Sequence, residues 1–305
     1  MKRYPAKLLL FGEYGLMFGA KALAIPFPTY SGCFATPNTA SQSEYQKNSN
    51  AELRRFVSWY EQEQIALQMN FPLDIGRLSV DLEVGLYFES DVPLQYGVGS
   101  SGALCAGLYD CYSRFSGLDD FNPELEGDQI LQLKADFVLL ESYFHGRSSG
   151  LDPLVAFLNR PVRVSDGKIN LPALSLNTQP WAVHLIDTGM TSATSPLVKL
   201  FLEKMAKADF GANFRDNYLP VNDGVVDAFM RQDADSFFEN LKRLHDFQLI
   251  NFSEMFPEPC LPLIEELARL GIFVKLLGSG GGGFLLAFAP LNAEFPAIKK
   301  SFRIF

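Results

Sequence analysis

Glycine is gathered into three segments spread from one end of the chain to the other, and nothing else in the sequence constrains the fold as tightly. They are Lys7-Leu-Leu-Leu-Phe-Gly-Glu-Tyr14, Gly97-Val-Gly-Ser-Ser-Gly102 and Lys275-Leu-Leu-Gly-Ser-Gly-Gly-Gly-Gly283. Glycine loses more backbone freedom on folding than other residues, so a run such as Gly278 to Gly283 marks a place where backbone approaches something closely. Main-chain N–H groups in such loops form concave anion sites, and a helix starting there adds the positive end of its dipole. Two such loops, with lysine and carboxylates elsewhere in the chain, point to phosphate chemistry.

At 305 residues the chain is long for a single core and fits two domains. Its 48% hydrophobic content, with 13% aromatic residues, predicts a well-packed globular protein. The formal charge of −9 and the lack of a basic run argue against a nucleic-acid or anionic-membrane partner. A local cluster of backbone donors and one or two cations still allows a nucleotide. No stretch approaches the roughly 20 apolar residues of a membrane span. The apolar run after Met-Lys-Arg is too short for a signal peptide and is interrupted at Gly12-Glu13. Cys33, Cys105, Cys111 and Cys260 show no paired short spacing, and His145, His184 and His245 lie far apart, so no zinc pattern exists. A cytoplasmic protein with reduced thiols is expected.

Periodicity gives a coarse α+β outline. Lys7 to Phe11 reads as a buried strand, residues 39 to 50 as an exposed polar loop, and Ala51 to about Met69 as a helix. Leu78, Val80, Leu82 and Val84 alternate with polar residues, which predicts a half-buried strand. A helix is expected from Ala103 to about Phe115. The steps of three and four between Ile130, Leu133, Phe137, Leu140 and Phe144 predict an amphipathic helix over Gln129–Phe144, and Asp152-Pro153 opens a short one. Residues 160 to 180 change character and mark the domain boundary. Beyond it, Trp181–Ile186, Phe273–Leu277 and Phe284–Phe288 read as strands. Leu197–Asp209, Val221–Met230, Ala234–Leu249 and Pro262–Leu270 read as helices.

Several patterns dissolve on inspection. Gly97-x-Gly99-x-x-Gly102 matches the dinucleotide fingerprint, but no strand immediately precedes it and none follows its helix. Asp209-Phe-Gly211 lacks the catalytic loop that would make it a protein-kinase motif. Gly146-Arg-Ser148-Ser-Gly150 fits a hydrolase elbow only weakly, because a helix and not a strand precedes it. Ser100 and Ser101 have capping as their ordinary role, and so has Asp152 before Pro153. Glu141 alone would be a surface carboxylate, and Lys7 a surface lysine. Their combination shifts the reading.

Together these residues resemble the GHMP kinases, and among them the mevalonate kinases most closely. Pro5-Ala-Lys7-Leu-Leu-Leu-Phe-Gly-Glu13-Tyr14 is similar to the family's Pro-Gly-Lys-x-x-Leu-x-Gly-Glu-His opening. Pro93-Leu-Gln-Tyr-Gly-Val-Gly-Ser-Ser101-Gly-Ala103 is similar to its phosphate loop, and Lys275 to Gly283 to its third motif. Between the last two, Glu141-(three residues)-His145-Gly-Arg-Ser-Ser149-Gly-Leu-Asp152 resembles Glu…His-Gly-x-Pro-Ser-Gly-x-Asp. Any one match is weak, whereas four in the right order are specific.

The resemblance implies a two-domain GHMP kinase fold: an N-terminal α+β nucleotide-binding domain (residues 1–165) and a C-terminal ferredoxin-like α/β sandwich (166–305), with the active site in the cleft between them. It implies ATP and magnesium as cofactors and a small alcohol as acceptor, mevalonate first, converted to its 5-phosphate. Gly97, Val98, Gly99, Ser100, Ser101 and Gly102 would wrap the triphosphate, and Ser101 with Glu141 would ligate magnesium. Asp152 would take the proton of the attacking hydroxyl, with Lys7 beside it. Glu13, Tyr14, Ser279 and Gly280 fall on the acceptor side. Another kinase of the family acting on phosphomevalonate, homoserine or a sugar, or a nucleotide sensor without chemistry, stays open. A second substrate phosphate would need further cations, for which Arg147 and Lys199 are the nearby candidates. The sequence leaves monomer and homodimer open.

The chain departs from the family pattern at several points. Tyr14 stands in place of histidine, Ala6 of glycine, Gly102 and Ser279 of alanine, and Ser148 of the proline before Ser149. Tyr14 and Ser279 put the acceptor in question. Thr191-Ser-Ala-Thr-Ser-Pro196 is hydroxyl-rich and serves either to cap the following helix or to contact the acceptor.

Overall fold

The computed structural model describes residues 2–38, 42–114, 127–146, 148–298 and 300–305. Contacts divide the chain into two units. The first comprises Met1–Lys7, Ile25–Pro93 and Gly99–Val162; the second comprises Leu8–Ala24, Leu94–Val98 and Arg163–Phe305. Both boundaries that matter for the motifs fall inside them, at Lys7/Leu8 and at Val98/Gly99.

The elements begin with β1 (Tyr4–Phe11) and β2 (Ala22–Ala35), long strands whose residues are shared out between the two units. In the first unit follow α1 (Glu44–Gln62), α2 (Ile75–Glu83), β3 (Tyr87–Ser90), α3 (Ser100–Tyr112), α4 (Gly127–His145) and α5 (Leu151–Leu158). β3 pairs antiparallel with β2, Gly32 opposite Ser90 and Phe34 opposite Phe88. Gly32 has no side chain because the Phe88 ring occupies that space. The core is aromatic and helical: Tyr109 of α3 lies with its ring centroid 4.9 Å from Phe137 of α4 and 5.5 Å from Phe157 of α5. A buried carboxylate ties these elements down. Asp136 accepts from the Tyr109 hydroxyl at 2.9 Å and from the main-chain N–H groups of Asn70 and Phe71 at 2.7 and 3.0 Å.

Two expectations for this unit are overturned. The segment at Leu78–Val84 is not a strand: α2 runs through it, capped by Asp74, whose side chain accepts from Arg77 N–H. Leu78 and Leu82, four residues apart, are buried, whereas Val80 and Val84 are each 65% exposed. A helix therefore sorts these side chains by burial where the alternation suggested a strand. The polar segment expected as a loop to residue 50 already becomes helix at Glu44. A capping box starts it: Ser43 accepts from Gln46 N–H, and the Gln46 side chain accepts from Ser43 N–H. That helix ends at Gln62, short of Met69. Phe115, where α3 was expected to end, lies outside the described residues.

The second unit holds β4 (Val162–Ser165) and β5 (Lys168–Asn170), of which only Val162 falls to the first unit. They form a hairpin whose turn places Asp166 and Gly167 both at positive φ. Strand order in that sheet is β1-β2-β4-β5, with β3 on β2. Next come β6 (Trp181–Asp187), α6 (Thr194–Met205), α7 (Ala208–Asn213), α8 (Leu219–Arg231), α9 (Ala234–Asn251), α10 (Leu261–Arg269), β7 (Phe273–Leu276), β8 (Phe284–Pro290) and β9 (Ser301–Arg303). The helix expected over Leu197–Asp209 is thus two, broken after Met205. The second sheet has the order β7-β8-β6-β9 with antiparallel neighbours. This is the order and direction of a ferredoxin-like sheet, with five helices in the first crossover and turns in the described residues of the second. Its core is again aromatic: Trp181 stacks on Phe237 at 4.0 Å, and Phe11 on Phe288 at 5.4 Å. Among the described residues no helix is long and apolar enough to cross a membrane.

Candidate active site

β1 carries Lys7 into the interior of the first unit, where its side chain is only 5% exposed. It is no surface lysine. Its ammonium lies 2.9 Å from Asp152 Oδ1. Asp152 stands at the second position of α5, behind Gly150, whose φ of 68° makes it the cap. The expected capping role of Asp152 is therefore taken by the glycine, and its carboxylate is released to face Lys7.

The phosphate-loop glycines explain how this pair is seated. Gly99, at φ 77°, is the residue before α3; a Cβ there would come within 3.0 Å of Lys7 Cγ and 3.3 Å of Asp152 Oδ2. A Cβ on Gly102 would lie 2.8 Å from the Asp152 carbonyl carbon and 2.9 Å from Pro153 N. The first turn of α3 can pack against Lys7 and Asp152 only without these side chains. No side chain caps α3, so Ser100 and Ser101 do not have the ordinary role expected of them. The first N–H groups of this helix are left for another acceptor.

Ser101 instead turns to α4. Its hydroxyl donates to Glu141 Oε1 at 3.0 Å and lies 3.0 Å from His145 Nε2. The other oxygen of Glu141 accepts from the Ser148 hydroxyl, which itself accepts from Gly150 N–H at 2.9 Å. Glu141 is 4% exposed. Burial, and after it the charge of Asp152, pushes its carboxyl up to about 7, against the Ser148 and Ser101 hydrogen bonds and the Lys7 charge. Burial also holds the His145 imidazole below its ordinary value, with Asp152 acting the other way. Lys7, Ser101, Glu141 and Asp152, distant in sequence, are thus brought together in one unit. Sequence reasoning gave His145 and Ser148 no part in a kinase site, although both lie within the segment from Glu141 to Asp152; only folding shows their bonds.

A hydroxyl and a carboxylate suit a small hard cation. Among the described residues no three of His, Cys, Asp and Glu gather into a metal site. A cation at Ser101 and Glu141 would complete its shell from phosphate oxygens and water, as magnesium commonly does.

The remaining candidates lie in the second unit. Gly97 is at φ 75°, where a Cβ would meet the Leu277 carbonyl at 3.0 Å, and Val98 is fully buried. Glu13 is buried, its carboxylate bonded to Lys275 Nζ at 2.5 Å, and its carbonyl accepts from the Tyr218 hydroxyl at 2.8 Å. Tyr14 donates its hydroxyl to the Ser279 carbonyl at 2.7 Å. Gly280 is pressed against the Met255 carbonyl, 2.6 Å from where its Cβ would be. Gly282 and Gly283 are pressed in the same way against Met190 and Tyr96, and Gly281 against Ser192. The hydroxyl-rich segment therefore meets the third glycine loop at Ser192, and α6 begins at Thr194 without a side-chain cap. Of the candidate cations for a second phosphate, Lys199 is 80% exposed beside Glu203, and Arg147 lies outside the described residues.

Residues 65–160 match the family model described as GHMP kinases N terminal domain, and residues 225–303 match GHMP kinases C terminal. The chain belongs to the GHMP kinases and is a small-molecule kinase. The mevalonate kinase of Pyrococcus horikoshii is 24% identical over 308 residues, covering 94% of this chain and 87% of the relative. Among solved structures, Streptococcus pneumoniae phosphomevalonate kinase in complex with phosphomevalonate and AMPPNP is similar in fold, with TM-score 0.65 and 15% identity over 95% of this chain and 92% of that one. L. major mevalonate kinase in complex with R-mevalonate gives TM-score 0.62 and 18% identity over 99% and 94%.

Proposed function

We propose that the chain transfers the γ-phosphoryl group of ATP to the primary hydroxyl of mevalonate, giving the 5-phosphate and ADP. The observation that carries this reading is the Lys7–Asp152 ion pair seated on Gly99 and Gly102, with Ser101 and Glu141 bonded beside it. The curated relatives it is similar to, named mevalonate kinases, supply the acceptor.

In this reading the backbone N–H groups of residues 97–102 and the start of α3 bind the phosphates. Asp152 accepts the proton of the acceptor hydroxyl as its oxygen bonds to the γ-phosphorus and the bond to the β-phosphate oxygen breaks. Lys7 orients that carboxylate and offers positive charge to the transferred group. Phosphoryl transfer has a loose transition state, so placement and charge neutralisation count for more than base strength. Ser101 and Glu141 would hold magnesium, which supplies charge neutralisation on the phosphate oxygens when bound. Their donor chemistry fits it, since the buried Glu141 carboxyl resists ionising until a positive charge compensates it. Tyr14, Ser279 and Gly280 would shape the acceptor side, and Glu13 would support it through Lys275.

The test is a coupled ADP-release assay with mevalonate, phosphomevalonate, homoserine and a few sugars. Mevalonate-dependent ADP formation is expected. Release with phosphomevalonate instead would move the acceptor. No release with any acceptor despite ATP binding would favour a sensor.

A further inference from the structure

We propose that Ser148 is a positioning residue for the cation site: its hydroxyl holds one oxygen of Glu141 in place, so that the other is presented together with Ser101. The inference rests on the reading of Ser101 and Glu141 as cation ligands and adds a residue that the family's motif does not contain. The matching position in that motif is proline, which has no hydroxyl to donate.

A glutamate side chain keeps rotational freedom at its far end. Its carboxylate can rotate about the last torsion and present either oxygen. In this chain each oxygen has its own donor, Ser101 on Oε1 and Ser148 on Oε2. The two donors are not equivalent. Ser101 has a second partner in His145 Nε2 at 3.0 Å; in the tautomer that leaves Nε2 unprotonated, the Ser101 proton can turn to it when a cation claims the Ser101 oxygen and Oε1. Ser148 is fixed from behind. It accepts from Gly150 N–H at 2.9 Å. Gly150 in turn is pressed onto α4, where a Cβ would lie 2.6 Å from the Lys134 carbonyl and 2.9 Å from Val138 Cγ2. Lys134 and Val138 precede Glu141 on the same helix, so the anchor and the carboxylate share one rigid frame. The Ser148 bond can therefore persist whether or not a cation is present, while the Ser101 bond is the one exchanged.

Mn2+ serves as the probe, its binding to the enzyme–ADP complex read by the electron paramagnetic resonance of the free ion. Ser148→Ala should weaken Mn2+ binding by about 10-fold, in the range found when partners behind metal ligands are removed. Its affinity for ADP in excess chelator should be unchanged. Ser148→Thr, which keeps the hydroxyl, should restore Mn2+ binding. Glu141→Gln is the control for the underlying reading. Wild-type Mn2+ affinity in Ser148→Ala, with affinity lost in Glu141→Gln, would overturn the role of Ser148 alone. Full affinity in Glu141→Gln would overturn the ligand reading and the proposal with it. Equal weakening of metal-free ADP binding in Ser148→Ala would show a general disturbance and also overturn it.

Discussion

The Tyr14 hydroxyl donates to the main-chain carbonyl of Ser279 at 2.7 Å, fastening the first glycine motif to the third across 265 positions of sequence. Tyr14 does so from φ 58°, a region that bulky side chains rarely adopt. Its ring lies 4.4 Å from Phe201 and 5.5 Å from Phe252, centroid to centroid. The polar tip of this tyrosine is spent on the protein's own loop. Tyr14→Phe keeps the ring and removes the bond, worth about 0.5–1.5 kcal/mol. The acceptor KM should rise and nucleotide affinity should stay, as measured by steady-state kinetics and calorimetry. A change in nucleotide affinity would contradict this role.

Asp152→Asn removes the proton acceptor while leaving the shape of the side chain. Turnover should fall by about 10²–10⁴-fold, the usual contribution of a positioned base. Affinity for the magnesium nucleotide should change little. Unchanged turnover would remove Asp152 from the chemistry.

Gly102→Ala restores the residue that the family pattern carries, yet it should be harmful here. The new methyl would sit 2.8 Å from the Asp152 carbonyl carbon and 2.9 Å from Asp152 Cβ. Overpacking of this kind destabilises by about 1–3 kcal/mol. Denaturant unfolding should show that loss, and turnover should fall with it because Asp152 is displaced.

The raised carboxyl of Glu141 predicts a pH dependence of stability in the nucleotide-free protein. A group whose folded-state value rises from 4.5 to about 7 contributes stability that is fully present below pH 4.5 and lost as the pH climbs to about 7. The loss is about 3 kcal/mol, at 1.36 kcal/mol per unit. Thermal unfolding followed over that window should show the decline in the wild type and a flatter profile in Glu141→Gln. Parallel profiles would mean that the carboxyl titrates normally.

Lys275→Met breaks the buried pair with Glu13, in which both side chains are 0% exposed. Removing one partner of a buried ion pair costs about 3–5 kcal/mol. The double variant Glu13→Gln, Lys275→Met should recover part of that stability in equilibrium unfolding. No recovery would mean that the lysine acts through partners besides Glu13, the Leu276 carbonyl among them.

Where the sequence was legible, strong periodicity or a contiguous motif made it so. The apolar steps of α4 survive, α9 starts at Ala234 as expected, and three of the four motifs singled out Lys7, Ser101, Glu141 and Asp152 before any geometry. No element was assigned to the long strand β2, whose Pro26, Pro28 and Gly32 are poor strand formers; Gly32 makes room for Phe88. α2 was mistaken because four alternating apolar residues also fit a helix when only two of them are buried. The start of α1 did carry its signal, Ser43-x-x-Gln46, within a polar stretch that looked like loop. The bonds of His145 and Ser148 obey no spacing rule. They arise when α3 and the turn after α4 meet over one carboxylate, which a linear reading cannot display.

The third glycine run teaches a different lesson about how such an enzyme can change. Met190, Ser192, Met255 and Tyr96 already fill the space beside Gly280 to Gly283, so those glycines hold no spare room for a side chain. Sequence change there must fall on residues that frame the run rather than on the run itself.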